Sequence, residues 1–497
     1  MTQCRRARRR AAANVLVGMT SVLVLAAGCG SGDDKPRDAG TRYNAEGAVD
    51  PQAGETIAGW IARLDEGEPV DQANAAKTLG RIGPDARQAV AALQGKLDAA
   101  DEALALQAAA ALVKIGQTSD AVVQALIRSL GFEQTELRAA AADLLAGLGD
   151  GARSAAGALV DLLTDPSDTI RQKATEALKK IGAGAYPDLA KALGGPDKKK
   201  RAAAGDLLAQ AGPDVVGALS KLAADRDEDV RQRAGAILVK HGRRAVPAFL
   251  AAMRSLDEEV RLTAVTALKD LGAEAEPALP QLIKALKDTN THVCNEAQVA
   301  LANIGASAVA ALIRSLDDKN PFVRKLSTDA LVRIGAPATK PLTAALDHSS
   351  ERVRVHAAAA LVAGKAADGK ALGVLVKALS SSDASFCVLA SRTCAEVKPD
   401  LSKHIPALIK ALGHPDQKVK LHTAECIRNV GAPAKPAVDV LIGLLDDKDE
   451  TVVIATLKAL GAIGKGAAPA ARKVEKLTNH DNVRIVAAAE DALKAIK

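Results

Sequence analysis

The sixteen residues 227–242, DEDVRQRAGAILVKHG, return thirty residues later as DEEVRLTAVTALKDLG at 257–272. A phrase closing on glycine recurs in this way along most of the chain. The closing residue falls at Gly83, Gly116, Gly149, Gly182, Gly212, Gly242, Gly272, Gly305, Gly335, Gly431 and Gly464, with Lys365 and Lys398 holding the slot between. Every interval is 30 or 33 residues, a phase that composition alone does not keep. A period of this length restricts the fold to stacked copies of one small unit, because a single unit is too small to bury its own apolar surface.

The unit is helical. Val260, Ala264, Ala267, Leu268 and Leu271 recur at steps that put them on one helical face. Pro247, Phe249, Leu250, Met253 and Leu256 before them read as a second apolar helix, with proline in the first turn, where no backbone N–H is needed. The closing glycine suits the position just past a helix end, where φ is positive. The Asp-rich stretch between the two helices supplies N-caps. Each unit is therefore expected to be a helical hairpin of about thirty residues, stacked on its neighbours.

Slot chemistry separates the helical repeat families. The chain has only seven aromatic residues, too few for the tetratricopeptide signature, and the ankyrin phrase is absent. An Asp in the turn followed six residues later by an Arg, as in Asp165/Arg171, Asp225/Arg231 and Asp318/Arg324, resembles the short HEAT-like repeats known from bilin-lyase-type proteins. Arg138, Arg201, Arg261 and Arg354 also hold the Arg slot, with Lys420 as a near equivalent. The resemblance implies an all-α, right-handed α-solenoid of about 13–14 hairpins over residues 55–497, with the Asp–Arg pairs forming a ladder between adjacent repeats. It also implies that the second helix of each pair lines the concave side.

On that second helix the slot two before the marker holds Arg81, Lys114, Lys180, Lys240 and Arg333, and elsewhere Asp270, Asn303, Glu396 and Asn429. These positions read as a solvated helix edge, basic enough in the N-terminal half to receive an acidic partner segment. Between Gly335 and Gly431 the pattern changes: SSSDASFCVLASRTCAEVKPD replaces the usual charged turn. Either the stack bends there, or a partner surface has displaced the ladder, in which case Ser385, Phe386 and Arg392 are the candidate contacts.

The N-terminus is a different kind of sequence. Five arginines (Arg5, Arg6, Arg8, Arg9, Arg10) precede an uncharged, largely apolar run to Gly28, the form of an export signal and short for a membrane span. Its end, Leu25-Ala26-Ala27-Gly28-Cys29, resembles the bacterial lipobox, which implies lipid attachment at Cys29 and location at the cell membrane or outer membrane, facing periplasm or exterior. Residues 29–54 read as a flexible tether, having little to bury. Outside residues 1–28, 61 Lys and Arg face 59 Asp and Glu. A near-neutral balance argues against tracking a phosphate backbone, so nucleic acid is not an expected partner.

No catalytic constellation emerges. None of the eight histidines lies in H-E-x-x-H or is followed by Glu. His356 and His422 share a slot and read as surface positions, while His241 falls in a core isoleucine slot. Cys394 and Cys426 occupy packing slots, and Cys294 and Cys387 replace the ladder Arg. No cofactor or metal is expected. The function that follows is a monomeric, membrane-anchored scaffold for protein or peptide partners. The alternatives are a lyase- or hydroxylase-type enzyme built on such repeats, or a passive accessory of the cell envelope.

Overall fold

A computed structural model describes residues 40–50, 54–366 and 369–497. The expected signal segment, residues 1–28, and Cys29 lie outside the described residues. The chain divides into two compact units, Met1–His241 and Gly242–Lys497.

Each unit is a stack of helical hairpins. In the first unit the second helices of the pairs are Pro69–Ile82, Glu102–Ile115, Thr135–Leu148, Asp168–Ile181, Lys198–Leu208 and Glu228–Val239. In the second unit they are Glu258–Leu271, Thr291–Ile304, Pro321–Ile334, Glu351–Ala363, Ala384–Val397, Gln417–Val430, Glu450–Ile463 and Val483–Ile496. The repeat reading therefore holds across the described residues. In Glu258–Leu271 the buried side chains are Val260, Ala264, Val265, Ala267, Leu268 and Leu271, the face expected from spacing with Val265 added.

Most of the first helices are shorter than the apolar pattern suggests. The marker glycine opens a 3-10 segment, such as Gly272–Ala278, before a short α-helix such as Leu279–Ala285 begins. Helix Val246–Ala252 likewise stops at Met253, so Leu256 is not on its apolar face but in the turn, where it is fully exposed. Small residues let the second helices approach closely. A Cβ on Gly80 would lie 2.8 Å from the Cα of Ala111 on the next second helix.

The marker geometry is general, with one exception. Ten of the eleven marker glycines have positive φ, most with ψ near −130°, as at Gly272 (56°, −128°); Lys365 and Lys398 keep a positive φ, 54° and 56°, and Lys398 sits in the left-handed region (ψ 50°), as Gly116 does. The phase is thus kept through the divergent region despite the missing glycines. Gly212 departs because its helix already ends at Leu208.

The described part of the expected tether is folded. Residues Arg42–Tyr43 pair antiparallel with Glu55–Thr56, and Tyr43 is 1% exposed. The indole N–H of Trp60 donates to the carbonyl of Tyr43 at 3.3 Å. The sequence reading missed this because a two-residue strand carries no periodic signal; one buried aromatic and a few backbone bonds hold the segment to the first repeat.

Candidate interaction surface

The repeated polar residues assemble at the turn between the two helices of each pair. At Asp165/Arg171 and Asp318/Arg324 the two side chains pair elsewhere rather than with each other: Arg171 with Asp168, and Asp318 with Lys287. Each arginine reaches back to the main chain instead. Arg231 Nη1 donates to the carbonyls of Asp225 and Arg226 at 3.0 and 2.9 Å. Arg324 does the same to Asp318 and Lys319, at 2.9 and 3.1 Å. Arg171 does so to Asp165 and Pro166, at 2.5 and 3.0 Å, and its guanidinium also pairs with Asp168. Arg138, Arg261 and Arg354 bind the corresponding carbonyls. One Nη1 supplies both of these donors, which leaves the guanidinium's Nε–H and Nη2–H free for another acceptor, as Arg261 uses them on Asp288.

The carboxylate of the Asp slot has two other tasks. Its oxygen accepts the main-chain N–H two residues on, at 2.8 Å from Ser167 to Asp165 and 2.9 Å from Asp227 to Asp225. That second residue in turn caps the helix: Asp227 accepts from Asp229 N at 2.9 Å. Where the slot is His348, His414 or His480, the ring Nδ1 accepts the same N–H at 3.0–3.1 Å. Three histidines are thereby spent on turn geometry. At several repeats the slot cation also joins the following one. Arg261 holds Asp288 by two bonds of 2.8 Å, Arg138 pairs with Asp165 at 3.6 Å, and Lys420 with Asp447 at 2.8 Å. The Arg261 guanidinium is the main reason the Asp288 carboxyl lies below its ordinary pKa.

Cysteines in the Arg slot keep part of its role. The Cys294 thiol donates to the carbonyl of Asp288 at 3.2 Å, and Cys387 to that of Ser381 at 3.4 Å. All four cysteines among the described residues are free and buried. Burial pushes the Cys394 thiol up to about 12, so it is protonated and inert. Among the described residues no group of three or more His, Cys, Asp or Glu is placed to hold a metal ion.

The divergent region is closed internally. Phe386 is 4% exposed and meets the His356 ring edge to face, with centroids 6.5 Å apart. It is therefore unavailable as a partner contact, and His356, at 6% exposed, is no surface residue. Apolar neighbours on both sides of the Ala-rich helix Glu351–Ala363 close over it. Arg324 Nε donates to His356 Nε2 at 3.1 Å, and the other ring nitrogen lies 3.0 Å from Thr328 Oγ1. Arg324 can only donate, so Nε2 accepts and the proton sits on Nδ1. Burial, then the charges of Arg324 and Arg392, lowers the His356 pKa to about 4. His422, in the same slot, is half-buried and bonds Glu425 at 3.2 Å. His241 is half-buried as well. Ser385 is exposed, its hydroxyl donating to Asp383 at 2.6 Å, while half-buried Arg392 pairs with Glu396 at 3.9 Å.

The slot two before the marker does form an outer edge. Lys114, Lys180, Lys240 and Arg333 are exposed, and Arg81 is half-covered by the N-terminal segment. Arg81 donates to the carbonyl of Ala45 at 2.9 Å and pairs with Glu46 at 2.8 Å. On the helix Asp168–Ile181, Lys180 pairs with Glu176 at 3.2 Å and Lys173 with Asp143 at 2.9 Å.

Known proteins give these features a family context. The sequence profile described as HEAT repeats matches residues 130–209, 186–269, 215–302, 246–332, 279–362 and 405–494. No curated protein matches the chain. Among solved structures the chain is similar to Kap95p, studied with the switch loops of RanGDP, at 14% identity over 88% of this chain and 72% of that one, TM-score 0.34. It is also similar to Kap121p bound to Nup53p, at 16% identity over 83% and 54%, TM-score 0.34. Importin beta in an ammonium sulfate condition is 12% identical over 88% and 68%, TM-score 0.34. The chain spans about half the length of Kap121p.

Proposed function

The chain belongs to the HEAT-repeat family, and on that premise we propose that it is an exported, lipid-anchored scaffold that holds protein partners and catalyses no reaction. One observation carries the scaffold reading. The polar groups that recur with the period are consumed by the stack itself: the Arg231 and Arg324 forks bind turn carbonyls, and Asp225 and Asp318 accept turn N–H groups. What varies from repeat to repeat is the exposed second-helix edge, where Lys114, Lys240, Asp270 and Arg333 stand. A surface that is constant in its framework and variable along its edge suits recognition of a partner.

Export and anchoring are supported by the basic head at Arg5–Arg10, the apolar run and the lipobox-like residues ending in Cys29. Mild crosslinking in the native cell, membrane isolation and mass spectrometry test both parts together, with Cys29→Ala as control. A reproducible protein partner that disappears in the control is expected. Membrane-bound protein with no partner overturns the scaffold. An absorbance band beyond 280 nm in the purified protein points instead to an enzyme of the lyase type.

A further inference from the structure

Between two first helices of the second unit, Leu279–Ala285 and Val309–Ser315, runs an open groove of about 720 Å³. Ligand sites typically measure about 300–1,000 Å³. Half-buried Leu279, Ile283 and Ala311 and exposed Pro280 and Ala310 give it an apolar lining. The sequence accounts for the space. Counted back from the marker glycine, Ser307 and Ala310 fall where the preceding repeat has Pro277 and Pro280 and the following one Pro337 and Lys340. Two small residues in one repeat thus leave open what bulkier residues fill on either side.

The polar groups around the groove are engaged within the chain, with one exception. Arg243 and Glu276 pair with each other at 3.4 Å. Asp318 is taken by Lys287 at 2.6 Å and accepts the Asn320 N–H at 2.9 Å. The Ser315 hydroxyl donates to the carbonyl of Ala311 on its own helix at 3.1 Å. Asp317, three residues beyond Arg314, is held by Arg352 at 3.6 Å and by the Ser350 hydroxyl. Arg314 lines the groove and is exposed, and among the described residues its guanidinium has no hydrogen-bond or ion-pair partner. Its place in the last turn of helix Val309–Ser315 suits a cation, because the helix dipole is negative there. That explains the charge and leaves its donors unused beside an apolar surface.

We propose that this groove docks a short segment of a partner protein, in which a leucine side chain packs against Leu279, Ile283 and Ala310 and a neighbouring carboxylate binds Arg314. The proposal rests on the scaffold reading and supplies the chemistry of the partner and its place on the first helices. Charge complementarity selects the occupant. Glu276 and Asp318 are neutralised by Arg243 and Lys287, so the charge left for a ligand is positive. A guanidinium with free donors takes a carboxylate by two parallel bonds. The apolar lining requires an apolar group beside that acid, which a purely acidic segment lacks.

The test is fluorescence anisotropy of the labelled peptide GSLLEEGS against the folded chain at low ionic strength, with GSSSEEGS and GSLLQQGS as controls. Saturable binding of GSLLEEGS alone is expected. Ala310→Leu, which fills the groove, weakens it about tenfold or more. Arg314→Ala weakens it severalfold and removes its salt dependence. Lys410→Ala, in the slot of Arg314 on another first helix, leaves it unchanged. Ala310 and Arg314 are exposed, and their slots hold Lys340 and Ala344 in the next repeat, so circular dichroism of both variants stays that of the parent. Absent binding, equal binding of either control peptide, or equal effects of Arg314→Ala and Lys410→Ala overturns the site. A crosslinked partner that survives both Ala310→Leu and Arg314→Ala also overturns the site while leaving the scaffold intact. The absence of any partner removes the scaffold whatever the peptide does.

Discussion

His356 is held neutral by its surroundings, and this has a measurable cost in acid. Its folded pKa is about 4, well below the ordinary 6.5. The unfolded chain therefore binds a proton that the folded chain refuses. Stability from this site is fully present above about pH 6.5 and is lost as pH falls from there toward 4, to the order of 3 kcal/mol. Urea unfolding of the parent and His356→Gln at pH 7 and 4.5 checks it. The parent is expected to lose more than the variant, and parallel losses would refute the assignment. Lys398 makes a second prediction of the same scale. A left-handed φ costs a non-glycine residue about 1 kcal/mol, so Lys398→Gly should raise the thermal midpoint, and Lys365→Gly likewise. An unchanged or lower midpoint in both would show that the lysine side chains contribute more than the strain removes. The slot was legible from spacing. That Lys398 would keep the positive φ but settle in the left-handed region, away from the ψ near −130° of Gly431, was not.

At the scale of the element, the turn clamp is the unit of construction. Arg261 serves its own turn through the carbonyls of Ser255 and Leu256, and the next repeat through Asp288. The two side chains are only 15% and 12% exposed. Removing the arginine strands a largely buried carboxylate, which costs about 3–5 kcal/mol in comparable cases. Arg261→Ala is therefore expected to lower stability by about that amount in urea titrations, far more than Lys325→Ala, whose pair with Asp329 is half exposed. Equal small losses would mean that water replaces the clamp. The depressed Asp288 pKa fixes the sign with pH: the contribution is present above the unfolded carboxylate value near 4 and fades as pH falls through the lower folded value. Sequence spacing identified the Asp and Arg slots and implied the ladder between repeats, seen at Arg138–Asp165 and Arg261–Asp288, but not the bonds each arginine makes to its own turn. Six residues separate Asp225 from Arg231, yet the Arg231 fork lands on the carbonyl of Asp225, because the turn aims main-chain oxygens at the second helix.

At the scale of the whole molecule, the balance of 61 basic against 59 acidic residues outside residues 1–28 leaves no general field to draw in a polyanion. The proposed lipid anchor makes Cys29 the point of attachment, and detergent-phase partitioning of the native protein against Cys29→Ser tests it: the parent is expected in the detergent phase and the variant in the aqueous phase. Both in the aqueous phase would remove the lipid anchor. The sequence by itself determined the helical hairpin, its period, its caps and the family, because helix periodicity and capping act over a few residues and repeat in phase. Tertiary structure alone decided that Phe386 closes over His356, that Arg261 reaches Asp288, and that residues 44–47 lie on Arg81. Those contacts join residues 27 to 36 positions apart, and their partners are chosen by how one repeat stacks on the next, which no local pattern records.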